Sequence, residues 1–368
     1  MKFSIKQSIM NKYMSYAVGL IAKATTIEIL SCLMLEATES SLFISITNFK
    51  VSLRIKIDDI EIEKPGKICV YARKLFDIVR SFTVGQELTF DTDKNNLTVI
   101  GSGMKTKFRL HTLSAEDYPN IIMSDWAKYI TIDQTLLRDA LKKTIFSINK
   151  EKEGRVFLCG VYFDKKDNKL NFVATDGKRL AYYSITQEEP GEFSIIVPDS
   201  TVEELLKILN EGECWLNVTE NNIFLKIDNM ELTSTLIEGD FPNYKVVIPD
   251  KTDSEIEVNT NVILDVIKRI KCLSGADNKI DIKFDNNKLI FKCVSDEGEA
   301  NDELEIENNF ITEKRFNYAY LVDVFSHIDS SLSTIKLSKT LEQGNEKPVV
   351  IKGQEENYLT VIMPMKVD

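Results

Sequence analysis

The chain has 368 residues, 43% hydrophobic and 28% charged, enough for about two or three ordinary domains and unlike a disordered chain. Its formal net charge of −11 excludes an evenly basic nucleic-acid binder, because a phosphate-binding surface must be positive where it touches. The six cysteines (Cys32, Cys69, Cys159, Cys214, Cys272, Cys293) form no CxxC pair, and His111 and His327 are the only histidines. That gives no zinc-site spacing and suits a reducing compartment, so no metal and no cofactor is expected.

The opening Met1-Lys2-Phe3-Ser4-Ile5 lacks the basic-then-apolar pattern of a secretory signal. The apolar run from Ala17 to Ala22 is far short of the ~20 residues of a membrane span. A soluble, cytoplasmic protein is expected. In chain order, apolar spacings of three and four predict a helix over 6–23 (Ile9, Tyr13, Tyr16, Leu20), then one over 72–82 (Leu75, Ile78, Val79, Phe82). Further helices are predicted over 133–147 (Leu137, Ala140, Leu141, Ile145) and 200–211 (Val202, Leu205, Leu206, Leu209). The last two are predicted over 259–271 (Ile263, Val266, Ile267, Ile270) and 317–328 (Leu321, Val324, Phe325, Ile328). Asp133, Ser200 and Asn259 are the expected N-caps. Between helices the period changes to two, as in Val51 to Ile57, Ile280 to Phe284 and Ile335 to Ser338, the mark of half-buried antiparallel strands.

The plan repeats. Asn95 and Asn221 sit in similar turns 126 residues apart, and the corners Asp117-Tyr118-Pro119-Asn120 and Asp240-Phe241-Pro242-Asn243 lie 123 apart. Thr47-Asn48, Thr175-Asp176 and Ser295-Asp296 close three comparable strands. The chain reads as three α+β modules of ~120 residues, each with two helices on one face of its sheets. Expected boundaries are 1–125, 126–250 and 251–368. The six helix segments hold thirteen Lys and Arg against eight Asp and Glu, a net +5, leaving −16 for the remainder. That asymmetry suits a mildly basic helical face able to attract phosphates without reading bases, although helix surfaces also favour Lys and Arg for propensity alone.

The repeat plan and three strings, Phe172 to Ala181, Gly239 to Tyr244 and Val361 to Lys366, together resemble the beta subunit of bacterial DNA polymerase III, the sliding clamp family, over the whole chain. The resemblance implies a head-to-tail homodimeric ring, with helices lining a hole through which double-stranded DNA passes. The DNA polymerase III alpha subunit, the clamp-loader complex and other proteins with a clamp-binding motif would dock in a peptide pocket. By the same resemblance, that pocket is formed by Leu158, Thr175, Gly177, Arg179, Leu180, Pro242, Val247, Met363, Pro364 and Met365, with Asn317 and Tyr320 nearby. Val246 stands where the family commonly has a basic residue, and the tail Lys366-Val367-Asp368 departs from its commoner ending. The DNA-facing residues would be Lys23, Arg73, Arg80, Lys150 and Lys152. At the seam, Phe108 and Leu110 would meet Cys272 and Leu273 of the other chain. Lys74 would face the acidic run Glu297, Glu299, Asp302, Glu303 and Glu305. Gly177-Lys178 lacks P-loop spacing, and no GxSxG, HExxH or GxGxxG occurs, so no catalysis is expected. The alternative is a monomeric interaction or single-strand-binding module, which would need aromatics interleaved with basic residues; oligomeric state separates the two.

Overall fold

The structure is a computed structural model that describes residues 1–21, 25–151, 153–273, 275, 278–338 and 346–366. Lys23, Lys152 and the tail residues Val367 and Asp368 lie outside the described residues. The described helices are α1 (Gln7–Gly19), α2 (Ala72–Ser81), α3 (Gln134–Thr144), α4 (Asp199–Ile208), α5 (Thr260–Ile270) and α6 (Tyr318–Ser326). Each falls where the apolar period places it. Two of the expected caps form: Asp133 Oδ1 accepts from the backbone N of Thr135 (2.8 Å) and Leu136 (3.1 Å), and Asn259 Oδ1 accepts from Asn261 and Val262 (both 3.1 Å). These satisfy donors that a helix start otherwise leaves open. Ser200 is not a cap. The helix α4 starts at Asp199 directly after the strand Phe193–Pro198, so Ser200 lies inside its first turn. Asn317 supplies a cap that periodicity did not reveal, accepting from Ala319 N at 2.9 Å.

The chain packs as two compact units: residues 1–138 with 200–236, and residues 139–199 with 237–368. In the first, a thirteen-stranded sheet runs through the whole unit. Strand Val51–Ile57 buries Val51, Leu53, Ile55 and Ile57 and turns Ser52, Arg54 and Lys56 outward, as a period of two requires. It pairs antiparallel with Met230–Thr235, Leu53 opposite Leu232, so the sheet continues from one repeat into the next. Helices α1 and α2 pack together, α1 burying Met10, Met14 and Ala17 and α2 burying Ala72, Leu75 and Val79.

The second unit makes the same join with its eight-stranded sheet. There Arg179–Thr186 pairs antiparallel with Tyr358–Ile362, Leu180 opposite Val361. A separate four-stranded sheet is built from Lys279–Asp285, Lys288–Ser295, Gly298–Glu305 and Thr312–Asn317, and α5 packs on α6. No helix among the described residues is long and apolar enough to cross a membrane.

The repeated Thr-Asn and Thr-Asp pairs fold alike. In the second unit Thr175 Oγ1 donates to Arg179 O (2.6 Å) and accepts from Gly177 N (3.0 Å), while Asp176 Oδ1 accepts from Lys178 N and Arg179 N. In the first, Thr47, Asn48, Phe49, Lys50 and Val51 make the same set. The third residue has positive φ in both, +87° at Gly177 and +71° at Phe49. Only glycine adopts this without steric cost. A Cβ at Gly177 would also meet Arg155 Nη1 at 3.2 Å.

Candidate functional site

One groove in the second unit, about 350 Å³ in volume, stands out. Buried Tyr244 lines it and is backed by half-buried aromatics: Tyr162 packs edge-on to Tyr244 and stacks on Phe241 (4.5 Å, 3° between planes). The Tyr244 hydroxyl donates to Asp164 Oδ2 at 2.9 Å, and burial together with that carboxylate pushes its pKa far above the usual tyrosine value. Leu180, Val361 and Tyr244 belong to one buried apolar cluster. The short helical turn Val156–Leu158 carries Leu158, and a second turn, Tyr244–Val247, capped by Asn243, carries Val247. Met363 is fastened by its backbone N to Lys178 O at 2.8 Å.

The structure brings Leu158, Thr175, Gly177, Arg179, Leu180, Pro242, Val247 and Met363 together around this groove and adds Arg155, Phe157, Lys178, Asn243, Tyr244 and Val361. Four expected residues stand apart from its lining. Asn317 caps α6. The Tyr320 ring lies against the Arg179 guanidinium at 4.5 Å. Pro364 is buried, and Met365 bridges to Arg315 through its backbone N. Arg155 carries no motif, and Lys178 enters the sequence reading only through Gly177-Lys178, which lacks P-loop spacing. Val246 is 75% exposed.

Arg179 is the charged member of the wall. Its side chain is 6% exposed. Nη1 donates to Asp323 Oδ2 at 2.5 Å, Nε to Asp176 Oδ2 at 3.2 Å and Nη2 to Phe146 O at 2.7 Å. A guanidinium held by three hydrogen bonds, two of them to carboxylates, is the form in which a buried charge is tolerated.

The expected DNA-facing Arg73 and Arg80 lie on the exposed side of α2, and Lys150 is exposed. Lys143, counted in the basic helical face, does not belong to it. Its side chain is 7% exposed and bonds Glu355 (2.6 Å) and Asp329 (3.0 Å). Of the seam residues, Lys74 is exposed on α2, Phe108 packs edge-on against Phe82 at 5.6 Å, and Leu110 is half-buried. Cys272 is exposed and Leu273 half-buried. The acidic strand is already engaged within its own unit, Glu303 with Lys288 at 2.8 Å, Asp302 with Arg269 at 2.8 Å and Glu299 with Lys292 at 3.5 Å. Among the described residues, no group of three or more His, Cys, Asp or Glu could hold a metal ion.

Three domain models match in succession: the N-terminal domain of the DNA polymerase III beta subunit over residues 1–122, its central domain over 131–243 and its C-terminal domain over 245–366. The beta sliding clamp of Buchnera aphidicola is 32% identical over 352 residues, covering 92% of this chain and 94% of its own. That of Escherichia coli K12 is 28% identical over the full length of both chains. The crystal structure of the Pseudomonas aeruginosa subunit superposes with a TM-score of 0.93 at 26% identity, with 100% of each chain covered. A C. crescentus beta sliding clamp with bound PEG gives a TM-score of 0.91 at 26% identity over 100% of this chain and 99% of that one.

The three α+β domains are thus those of a sliding clamp. The chain belongs to the family of the bacterial DNA polymerase III beta subunit, the beta sliding clamps: processivity factors of DNA replication and non-catalytic polymerase subunits.

Proposed function

We propose that two copies of this chain close head to tail into a ring around double-stranded DNA, with the helices inside. On this reading the domains are 1–125, 126–250 and 251–368, and the ring works in the cytoplasm. The ring holds DNA by topology, so it needs only weak phosphate attraction from Arg73, Arg80, Lys23, Lys150 and Lys152; stronger contacts would brake sliding. Phe108, Leu110 and Lys74 of one chain meet Cys272, Leu273, Glu299 and Glu303 of the other. The groove at Leu158, Thr175, Gly177, Arg179, Leu180, Pro242, Val247 and Met363, with Asn317, Tyr320, Pro364 and Met365 behind or beside it, takes apolar anchors of short peptides. Its occupants are the DNA polymerase III alpha subunit, the clamp loader and other clamp-binding proteins.

The observation that carries the docking half is the groove itself, concave, about 350 Å³ and apolar-walled with a few fixed polar groups, as peptide anchor sites are. The adaptable thioether of Met363 at its rim suits varied occupants. Retention on DNA tests the ring. The protein is loaded onto nicked circular plasmid with a clamp loader, and half the sample is linearised. Retention at high salt on circles with loss from linear DNA is expected. Equal, salt-sensitive binding to both would replace the ring with a monomeric binding module.

A further inference from the structure

The groove wall contains a cation that has been taken out of play. Arg179 lines the groove, yet its guanidinium is oriented from three sides by groups behind the wall. Asp323 on α6 takes Nη1, Asp176 of the turn takes Nε, and the Phe146 carbonyl after α3 takes Nη2. Two rings close on its faces, Tyr320 at 4.5 Å and Phe146 at 5.5 Å. Phe146 is itself stacked on His327 at 4.3 Å, and His327 Nδ1 is 2.7 Å from Asp323 O. The two carboxylates differ. Asp176 is built into the turn through Lys178 N and Arg179 N, so it serves the backbone as well as the charge. Asp323 makes its carboxylate contact with Arg179 and is 42% exposed, so it can be neutralised without opening the core.

We propose that Asp323 is a positioning residue that sets the specificity of the groove: by holding and neutralising Arg179, it lets the wall present the arginine as a fixed, charge-compensated surface for apolar anchors rather than as a receptor for carboxylates. This rests on the groove being the peptide site. Arginine is suited to the role because its planar fork can be satisfied edge-on while its face is covered by rings. Removing one of two carboxylates leaves a buried charge half compensated, and that charge then seeks the nearest anion. The consequence for a ligand is a change in charge preference, which simple loosening of the wall would not produce.

The test uses fluorescence anisotropy with two labelled synthetic peptides of about ten residues. Both carry leucine and phenylalanine anchors, and they differ by one Gln-to-Glu exchange between the anchors. Arg155 and Lys178 remain in every variant, so their contribution cancels from the change in the Glu/Gln affinity ratio between variants. Asp323→Asn is expected to weaken the Gln peptide about fivefold, the scale of coupling through such networks, and to raise the Glu/Gln ratio about threefold. Asp323→Glu restores both, and in an Arg179→Gln background Asp323→Asn does nothing further. Tyr320→Leu, which removes a ring face, shifts the ratio in the same direction. An unchanged ratio in Asp323→Asn, or effects that simply add to those of Arg179→Gln, overturns the proposal while leaving the groove as the peptide site. Undiminished binding to Met363→Glu places the peptide elsewhere, overturning the groove reading and this inference with it.

Discussion

Lys143 shows how a single buried charge is held in this protein. Burial pushes its ammonium toward neutrality, but Glu355 and Asp329 more than offset this, and its pKa is raised. A lysine whose folded pKa is raised stabilises the fold at every pH below its unfolded value. The contribution is lost only as pH rises through the folded pKa, so the pair holds across the neutral range. Its partners are more exposed, Glu355 at 37% and Asp329 at 69%, so the two sides of the pair respond differently to mutation. Glu355→Gln leaves a buried ammonium with one exposed partner and is expected to destabilise by about 1–3 kcal/mol. Lys143→Met replaces the charge with an apolar chain of similar length beside Tyr358 and Tyr183, leaves the acids in water, and should stay within about 1 kcal/mol of the parent. Thermal unfolding at pH 7 gives the order, and a Lys143→Met protein less stable than Glu355→Gln would contradict it. The cysteines divide as sharply. Burial pushes Cys32 up to about 11 and Cys69 and Cys214 up to about 12, whereas Cys272 is exposed. A thiol reagent at pH 8 should therefore label one site per unassociated chain quickly, and Cys272→Ser should abolish that fast phase.

Among elements, α3 gives a cap test with a defined pH sign. Asp133 accepts from the Thr135 hydroxyl and from two backbone donors at the start of α3, and these bonds hold its carboxyl below the usual aspartate range. A depressed pKa means stability that is present above the unfolded value and lost as pH falls through the folded one. Asp133→Ala should cost about 1 kcal/mol at pH 7. Asp133→Asn should cost less, and the parent should approach it as pH drops below the ordinary aspartate value; denaturant titrations at pH 7 and pH 3 measure both. The helices and strands were legible in the sequence because their apolar periods are local, and Asp133 and Asn259 because a cap oxygen acts within two or three residues. Ser200 misled because a serine in a first turn and a serine before it look alike once Pro198 lets the strand run up to the helix. The groove's turn was visible as the repeated Thr-Asp pair, but two of the three groups that hold its arginine, Asp323 and the Phe146 carbonyl, were not. Asp323 is 144 positions from Arg179, and Glu355 is 212 from Lys143. Pairs at such separation leave no period or spacing to read. The same holds for Asn317 and Tyr320, which a resemblance places near the groove while the coordinates give one a cap and the other the back of Arg179.

At the scale of the whole molecule, the proposed ring would close through sheet edges. In the strand Lys107–Leu113, residues 107–111 pair with Asn96–Ile100 on one side, and on the other side pairing is confined to Thr112 and Leu113. Gly298–Glu305 is the outer strand of its four-stranded sheet, paired among the described residues only with Lys288–Ser295. Unpaired edges recruit other chains unless blunted. The second is blunted by Glu299, Glu303 and Glu305, which admit a basic partner and repel most others. If the proposed seam uses these edges, Phe108→Lys with Leu110→Lys on one side of it should convert the dimer to monomer at micromolar concentration in sedimentation. Both side chains are only half-buried in the single chain, so its unfolding midpoint should move little. Cys272, protected across a closed seam, should then label at the rate of an exposed thiol. Retention on circular DNA should fall to that on linear DNA, because a ring that does not close has nothing left but weak phosphate attraction. These readouts are linked: a variant that stays dimeric with its thiol protected moves the seam to another edge, and one that becomes monomeric yet is still held on circles removes topology as the basis of retention.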